Sequence, residues 1–92
     1  MARHELKTWP QHFQDVADGI KTYELRNNED RHIENLDFLE LREWCPDAEE
    51  YTGRRLIAQV IHVLTRHDMG ELGGLEIGWC IFSLRGVSDV VG

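Results

Sequence analysis

The run Leu56-Ile57-Ala58-Gln59-Val60-Ile61-His62-Val63-Leu64 limits what this chain can become more than any other stretch. It has no proline or glycine and is β-branched at Ile57, Val60, Ile61 and Val63. Branched side chains lose rotamer freedom in a helix and fit a pleated surface, so the backbone is expected to be extended. Apolar residues fall at both odd and even positions, which predicts a strand buried on both faces. Such a strand needs neighbours in a sheet and cover above it, and only 92 residues are available to supply them. That length is one domain, here residues 1–92, burying roughly 60–65% of its unfolded surface.

The other elements follow from periodicity. His4 to Trp9 alternates loosely and reads as a first strand. Pro10 suits the first turn of a helix, where a missing N–H costs nothing. Phe13, Val16, Ala17 and Ile20 then form one apolar stripe at i, i+3, i+4 and i+7, and Gly19 can close the helix. Lys21 to Arg26 alternates with period two, Tyr23 and Leu25 on one face and Thr22, Glu24 and Arg26 on the other. Asn27 to Asp30 is turn-like, Phe38 to Trp44 alternates again, and Cys45 to Gly53 reads as a hairpin loop. The glycine-rich Met69–Gly74 leads into a last strand over Ile77–Leu84; Val87–Gly92 is a frayed tail or a packing contact. Five strands and one helix predict an α+β, mostly β domain. Its form is a small curved sheet or barrel with the helix after the first strand plugging one end.

Composition narrows the functional classes. A 41% hydrophobic share argues against wholesale disorder. No apolar run approaches the roughly 18–20 residues of a membrane span, and no apolar segment follows Arg3 as in a signal peptide. Cys45 and Cys80 are too few for a disulfide scaffold and lack ligand spacing, so a cytoplasmic setting with reduced thiols is expected. Neither has a base at a spacing that would mark a nucleophile. The histidines at 4, 12, 32, 62 and 67 have no pair at i+3 or i+4, so no metal and no cofactor are expected. His62, between Val60 and Leu64, reads as a core or barrel-end histidine.

The net charge of −7 argues against a long DNA-binding face. Residues 1–26 and 51–92 are each neutral, and the excess sits in 27–50, with nine acids and two arginines. That acidic stretch reads as a solvated loop and strand face. An acidic interaction surface around Glu49 and Glu50, of the DNA-mimic kind, is a separate functional class to keep in view.

Chemistry concentrates in Gly19-Ile20-Lys21-Thr22-Tyr23-Glu24-Leu25-Arg26. Glu24 and Arg26 share a strand face about 7 Å apart, and Lys21 at the strand mouth can lean toward them. With Tyr23 and Leu25 turned to the core, these charges would face solvent or a hydrated pocket. A lysine, a carboxylate and an arginine together suit a ligand with hydrogen-bonding edges and negative charge, such as a nucleotide. The bland alternative is an ordinary surface ion pair worth about 0–1 kcal/mol. A nucleophilic lysine must lose its proton, and here Arg26 and Glu24 push in opposite directions, which favours Lys21 as a charged contact. Trp79 reads as core, and Trp44 as partly exposed.

The runs His4-Glu5-Leu6-Lys7-x-Trp9-Pro10, Gly19-x-Lys21-Thr22-x-Glu24-x-Arg26 and Leu41-x-Glu43-Trp44 resemble the ASCH domains of the PUA-like superfamily. The resemblance spans His4 to about Leu84 and is nearest a compact branch of unknown function found in bacteria and phages. It implies a PUA-like β-barrel, a cleft beside the Lys/Glu/Arg strand, and RNA or a modified nucleoside or nucleotide as ligand. The ligand-binding set is then Trp9, Lys21, Thr22, Glu24 and Arg26. Some ASCH-like proteins are amidohydrolases acting on N4-acylcytidine and others are RNA nucleases. The first activity would make Lys21 central and Glu24 its partner in catalysis, with Glu71 or Glu76 as a distant carboxylate. The position matching that group's threonine holds Glu24 here, a departure from the hydrolase pattern.

Overall fold

The computed structural model describes residues 1–70 and 73–91. Its elements run β1 (Arg3–Thr8), α1 (Pro10–Ala17), β2 (Tyr23–Asn27), β3 (Phe38–Cys45), β4 (Glu50–Thr65), α2 (Arg66–Met69) and β5 (Trp79–Asp89). The strands form one sheet in the order β1-β3-β4-β5-β2, with β1 parallel to β3 and the other pairs antiparallel. The sheet curls into a half-barrel with α1 after the first strand, as the pattern predicts. Its core is formed by Leu6, Leu39, Leu41, Leu56, Ala58, Val60, Phe82 and Leu84 from the strands with Phe13 and Val16 from α1. Ala17 and Ile20 do not join it: the helix ends at Ala17, and Ile20 is exposed in the turn beyond.

β4 is central but buried on one face only. Leu56, Ala58 and Val60 point inward while Ile57 and Gln59 are partly exposed. A register shift between Val60 and His62 then changes the phase, so Val63 packs on the core while Ile61 and His62 are exposed. The bulge accounts for apolar residues at both parities without two buried faces. His62 is therefore neither a core nor a barrel-end residue. The hairpin is tighter than expected, because β4 begins at Glu50, and the tail is longer in structure, because Ser88 and Asp89 pair with Ile57 and Leu56.

β1 and β2 are the two sheet edges, and β1 is reached by one side chain from β2 and one from the loop after it. Arg26 Nη2 donates to the Lys7 carbonyl at 2.8 Å, and Arg31 Nη1 donates to the Glu5 carbonyl at 3.0 Å. Glu5 and Lys7 are two residues apart, so their carbonyls emerge on the same side of β1. The two arginines supply rungs where a sixth strand would stand, and they satisfy acceptors an open edge leaves unpaired.

The acidic stretch is less solvated than its composition suggests. Asp37, Glu40 and Glu43 are all buried. Glu40 pairs with Arg3 and with Arg55 at 3.5 Å, and Glu43 accepts from Thr52 at 2.7 Å with Arg54 at 3.6 Å. Asp37 accepts from the Ala2 and Glu34 backbone N–H groups at 2.9 and 3.0 Å and meets the His4 ring at 2.8 Å, fastening the start of β1. Burial pushes its carboxyl up, but His4 and the two backbone donors outweigh that and hold it below the ordinary 3.8. Unfolding therefore takes up a proton near that pH. The contribution of Asp37 is complete well above 3.8 and is lost as pH falls through it. Unfolding free energy between about pH 5 and 3 should fall more steeply in the wild type than in Asp37→Asn. Equal slopes in denaturant titrations would contradict this.

Candidate functional site

The turn after α1 builds the site. Gly19 adopts φ +75°, a left-handed conformation that glycine takes without strain. The Ile20 and Lys21 amides both bond the Asp15 carbonyl at 3.0 Å, which fixes Lys21 at the mouth of β2. Across the sheet Glu24 faces Phe82 and Arg26 faces Cys80, both inward on β5. The faces of β2 are thus the reverse of expectation: Tyr23 and Leu25 are exposed, and Glu24 is 2% exposed among the core residues. β2 is an edge strand beside β5, and the inward Glu24 is held there by its two cationic partners.

Glu24 holds both cations of the motif. Its Oε1 lies 3.4 Å from Lys21 Nζ and its Oε2 accepts from Arg26 Nε at 3.1 Å. Arg26 Nη2 continues to the Lys7 carbonyl and to Thr8 Oγ1 at 3.4 Å. Lys21 and Arg26 are 15% and 26% exposed at their side chains, so each presents a charged head above a buried carboxylate. A buried carboxylate without such partners is strongly unfavourable, and here both oxygens are satisfied.

These groups sit in a cleft of about 780 Å³. Its walls come from Lys7 and Thr8 at the end of β1, from Trp9 at the cap of α1, from His12, Asp15, Ile20 and Lys21 on and after α1, and from β2 and Trp79. Trp9, Tyr23 and Trp79 are 57%, 48% and 37% exposed, leaving aromatic surface free to stack. Trp79 is therefore a cleft residue and not core, because it stands at the first position of β5, on the rim. Four of the five expected site residues, Trp9, Lys21, Glu24 and Arg26, line the cleft together. Thr22 does not; it is exposed, and its carbonyl accepts from the Leu84 amide at 2.9 Å. Glu76 is exposed in a shallower hollow shared with Leu25 and Trp79, and Glu71 lies outside the described residues.

Sequence reasoning missed Lys7, His12, Asp15 and Trp79 as cleft residues. For His12 and Asp15 a signal was present, since they lie at i and i+3 on the polar side of the α1 stripe. Among the described residues, no group of three or more His, Cys, Asp or Glu side chains is placed to hold a metal ion. Cys80 is buried, and burial pushes its thiol up, away from a thiolate nucleophile. No described helix is long and apolar enough to cross a membrane.

The motif strand, the β1 segment and the Leu41–Trp44 run all fall inside a family match covering residues 3–84, to a domain of unknown function, DUF3850. The chain belongs to that family. The match takes in the whole cleft, from Lys7 to Trp79, so the described site belongs to the shared DUF3850 region and not to an added segment. A search of curated proteins finds no match to this DUF3850 chain.

Proposed function

We propose that this domain binds RNA or a nucleotide in the cleft beside β2, as an ASCH-like, PUA-related module. One observation carries the reading: Lys21 and Arg26 converge on a buried Glu24 at the base of a hollow walled by Trp9, Tyr23 and Trp79. The two cations suit phosphate or carbonyl acceptors, and the rings suit a planar base, where stacking contributes about 1–3 kcal/mol per base. The G-x-K-x-x-E-x-R run supports the ASCH-like assignment, because its three charged residues are the ones that meet in the cleft.

The alternative amidohydrolase and nuclease readings need Lys21 or Glu24 to act on a substrate. Both Glu24 oxygens are already engaged, and Lys21 stands against that carboxylate, an arrangement of contact and not of attack. Binding is the better supported function. The acidic-surface reading loses Asp37, Glu40 and Glu43 to the interior.

Calorimetry with nucleoside monophosphates and short single-stranded RNA tests the proposal. The wild type should bind in the micromolar to millimolar range, and Lys21→Ala should weaken binding about tenfold, the loss of one charge-assisted contact. No heat at millimolar ligand, or equal affinity for both proteins, would reject it. Incubating N4-acetylcytidine with both proteins covers the hydrolase alternative, for which product released only by the wild type would be required.

A further inference from the structure

Outside the cleft, on the opposite face of β1, cations and rings form a second assembly. Lys7 Nζ lies 4.0 Å above the centroid of Trp44, Trp44 meets Tyr51 edge-on at 5.0 Å, and Arg42 Cζ lies 4.4 Å over Tyr51. A register shift between Arg42 and Trp44 precedes this cluster, which lies beside the turn of the β3–β4 hairpin. Tyr51 is 41% exposed, and Arg42 pairs at 3.3 Å with Glu5, itself 62% exposed, so the Tyr51 end of the cluster reaches solvent.

The cluster adjoins the cleft. Lys7 lines the cleft while its ammonium covers Trp44, and its carbonyl receives Arg26. Thr8 pairs with Glu43 in parallel register, and the residues that follow are Trp9 of the cleft, which caps α1, and Trp44 of the cluster, which continues β3. Two aromatic surfaces thus flank one shared lysine.

We propose that the ligand is an oligonucleotide strand and not a single nucleotide: one base enters the cleft, and the next stacks at Tyr51, with the linking phosphate near Lys7 and Arg42. This rests on the nucleotide reading of the cleft and extends it. Aromatic rings interleaved with basic heads are how a single strand is held without reading its sequence, rings taking bases and cations tracking the backbone. A free mononucleotide would leave the outer assembly empty.

The test compares uridine 5′-monophosphate with tetrauridylate on the intact chain. The tetramer should bind at least about fivefold tighter, as one added stacked base allows. Its salt dependence should be steeper by about 0.7 for each additional phosphate neutralised. The three tryptophans give a separable readout. The mononucleotide should shift the indole N–H signals of Trp9 and Trp79, and the tetramer should shift that of Trp44 as well. Tyr51→Ala should remove the tetramer's advantage with mononucleotide affinity unchanged, and Tyr51→Phe should keep it. A tetramer no tighter than the mononucleotide, or a Tyr51→Ala loss shared equally by both ligands, overturns the outer platform and leaves the cleft reading intact. Binding of neither ligand overturns both.

Discussion

Glu24→Ala should melt roughly 10–20 °C below the wild type, equivalent to about 3 kcal/mol for a domain of this size. The carboxylate is 2% exposed and is the single group that brings Lys21 and Arg26 together. Its removal leaves two cations facing each other across a small cavity, with neither pair surviving. The partners keep some solvent contact, which places the loss at the lower end of what breaking a buried pair costs. Glu5→Ala is the comparison: it breaks an ion pair with Arg42 whose side chains are 62% and 35% exposed, so it should change stability by under about 1 kcal/mol. A Glu24→Ala protein melting within about 3 °C of the wild type would show that the carboxylate does not organise the site. Ligand affinity should fall with the same substitution, because the two heads lose the group that holds them in one place.

The second large effect is expected from Arg26→Lys, a change that keeps the charge. The guanidinium serves Glu24 through Nε and reaches the Lys7 carbonyl and Thr8 hydroxyl through Nη2. A single ammonium cannot span these positions, since it lacks the fork that separates the donors. β2 itself then loses its side-chain rung across the seam to β1, and only the Arg31 bond from the loop after β2 is left of the two. Hydrogen exchange should show protection in β1 and β2 reduced about 10- to 100-fold, with β3 and β4 nearly unchanged. Nucleotide affinity should drop by at least about tenfold. Uniform loss of protection over all five strands would mean that Arg26 acts on global stability and not on the seam. Unchanged protection would mean that the rung is ornamental.

How much of this was legible in the residues depends on the range of the interaction involved. Local periodicity was enough for α1, because Phe13 and Val16 fall on one stripe and Pro10 sets its start. The same held for the existence of all five strands and for the mostly β class. Boundaries were lost where local signals break. The Arg85-Gly86 pair reads as the end of a strand, yet β5 runs through it because Ser88 and Asp89 find partners on β4. The short α2 was not expected, although Thr65-x-x-Asp68 offered a reciprocal capping pair that is present in the structure.

Long-range facts were not legible. Nothing in β1 says that it lies parallel to β3, a pairing across more than 30 residues that depends on the helix and β2 being elsewhere. The faces of β2 were assigned from hydropathy, which places Tyr23 and Leu25 inside. Pairing decided otherwise, because a carboxylate on an edge strand can turn inward once both its oxygens are engaged. Trp79 went the same way: its neighbours are apolar, but its place at the rim exposes it. The motif itself was legible as three charges on one short segment. That they share one polar hollow was the expectation; that Lys21 and Arg26 each close on Glu24 is a local contact the pattern did not specify.

A crystal structure of the protein with a bound nucleotide or short RNA is the most direct trial of this account. The expected result places a ligand phosphate or carbonyl oxygen within about 2.7–3.2 Å of Lys21 Nζ or an Arg26 nitrogen, with a base against Trp9 or Trp79. A ligand seated elsewhere on the molecule, with Lys21 and Arg26 still closed on Glu24 and untouched, would contradict it.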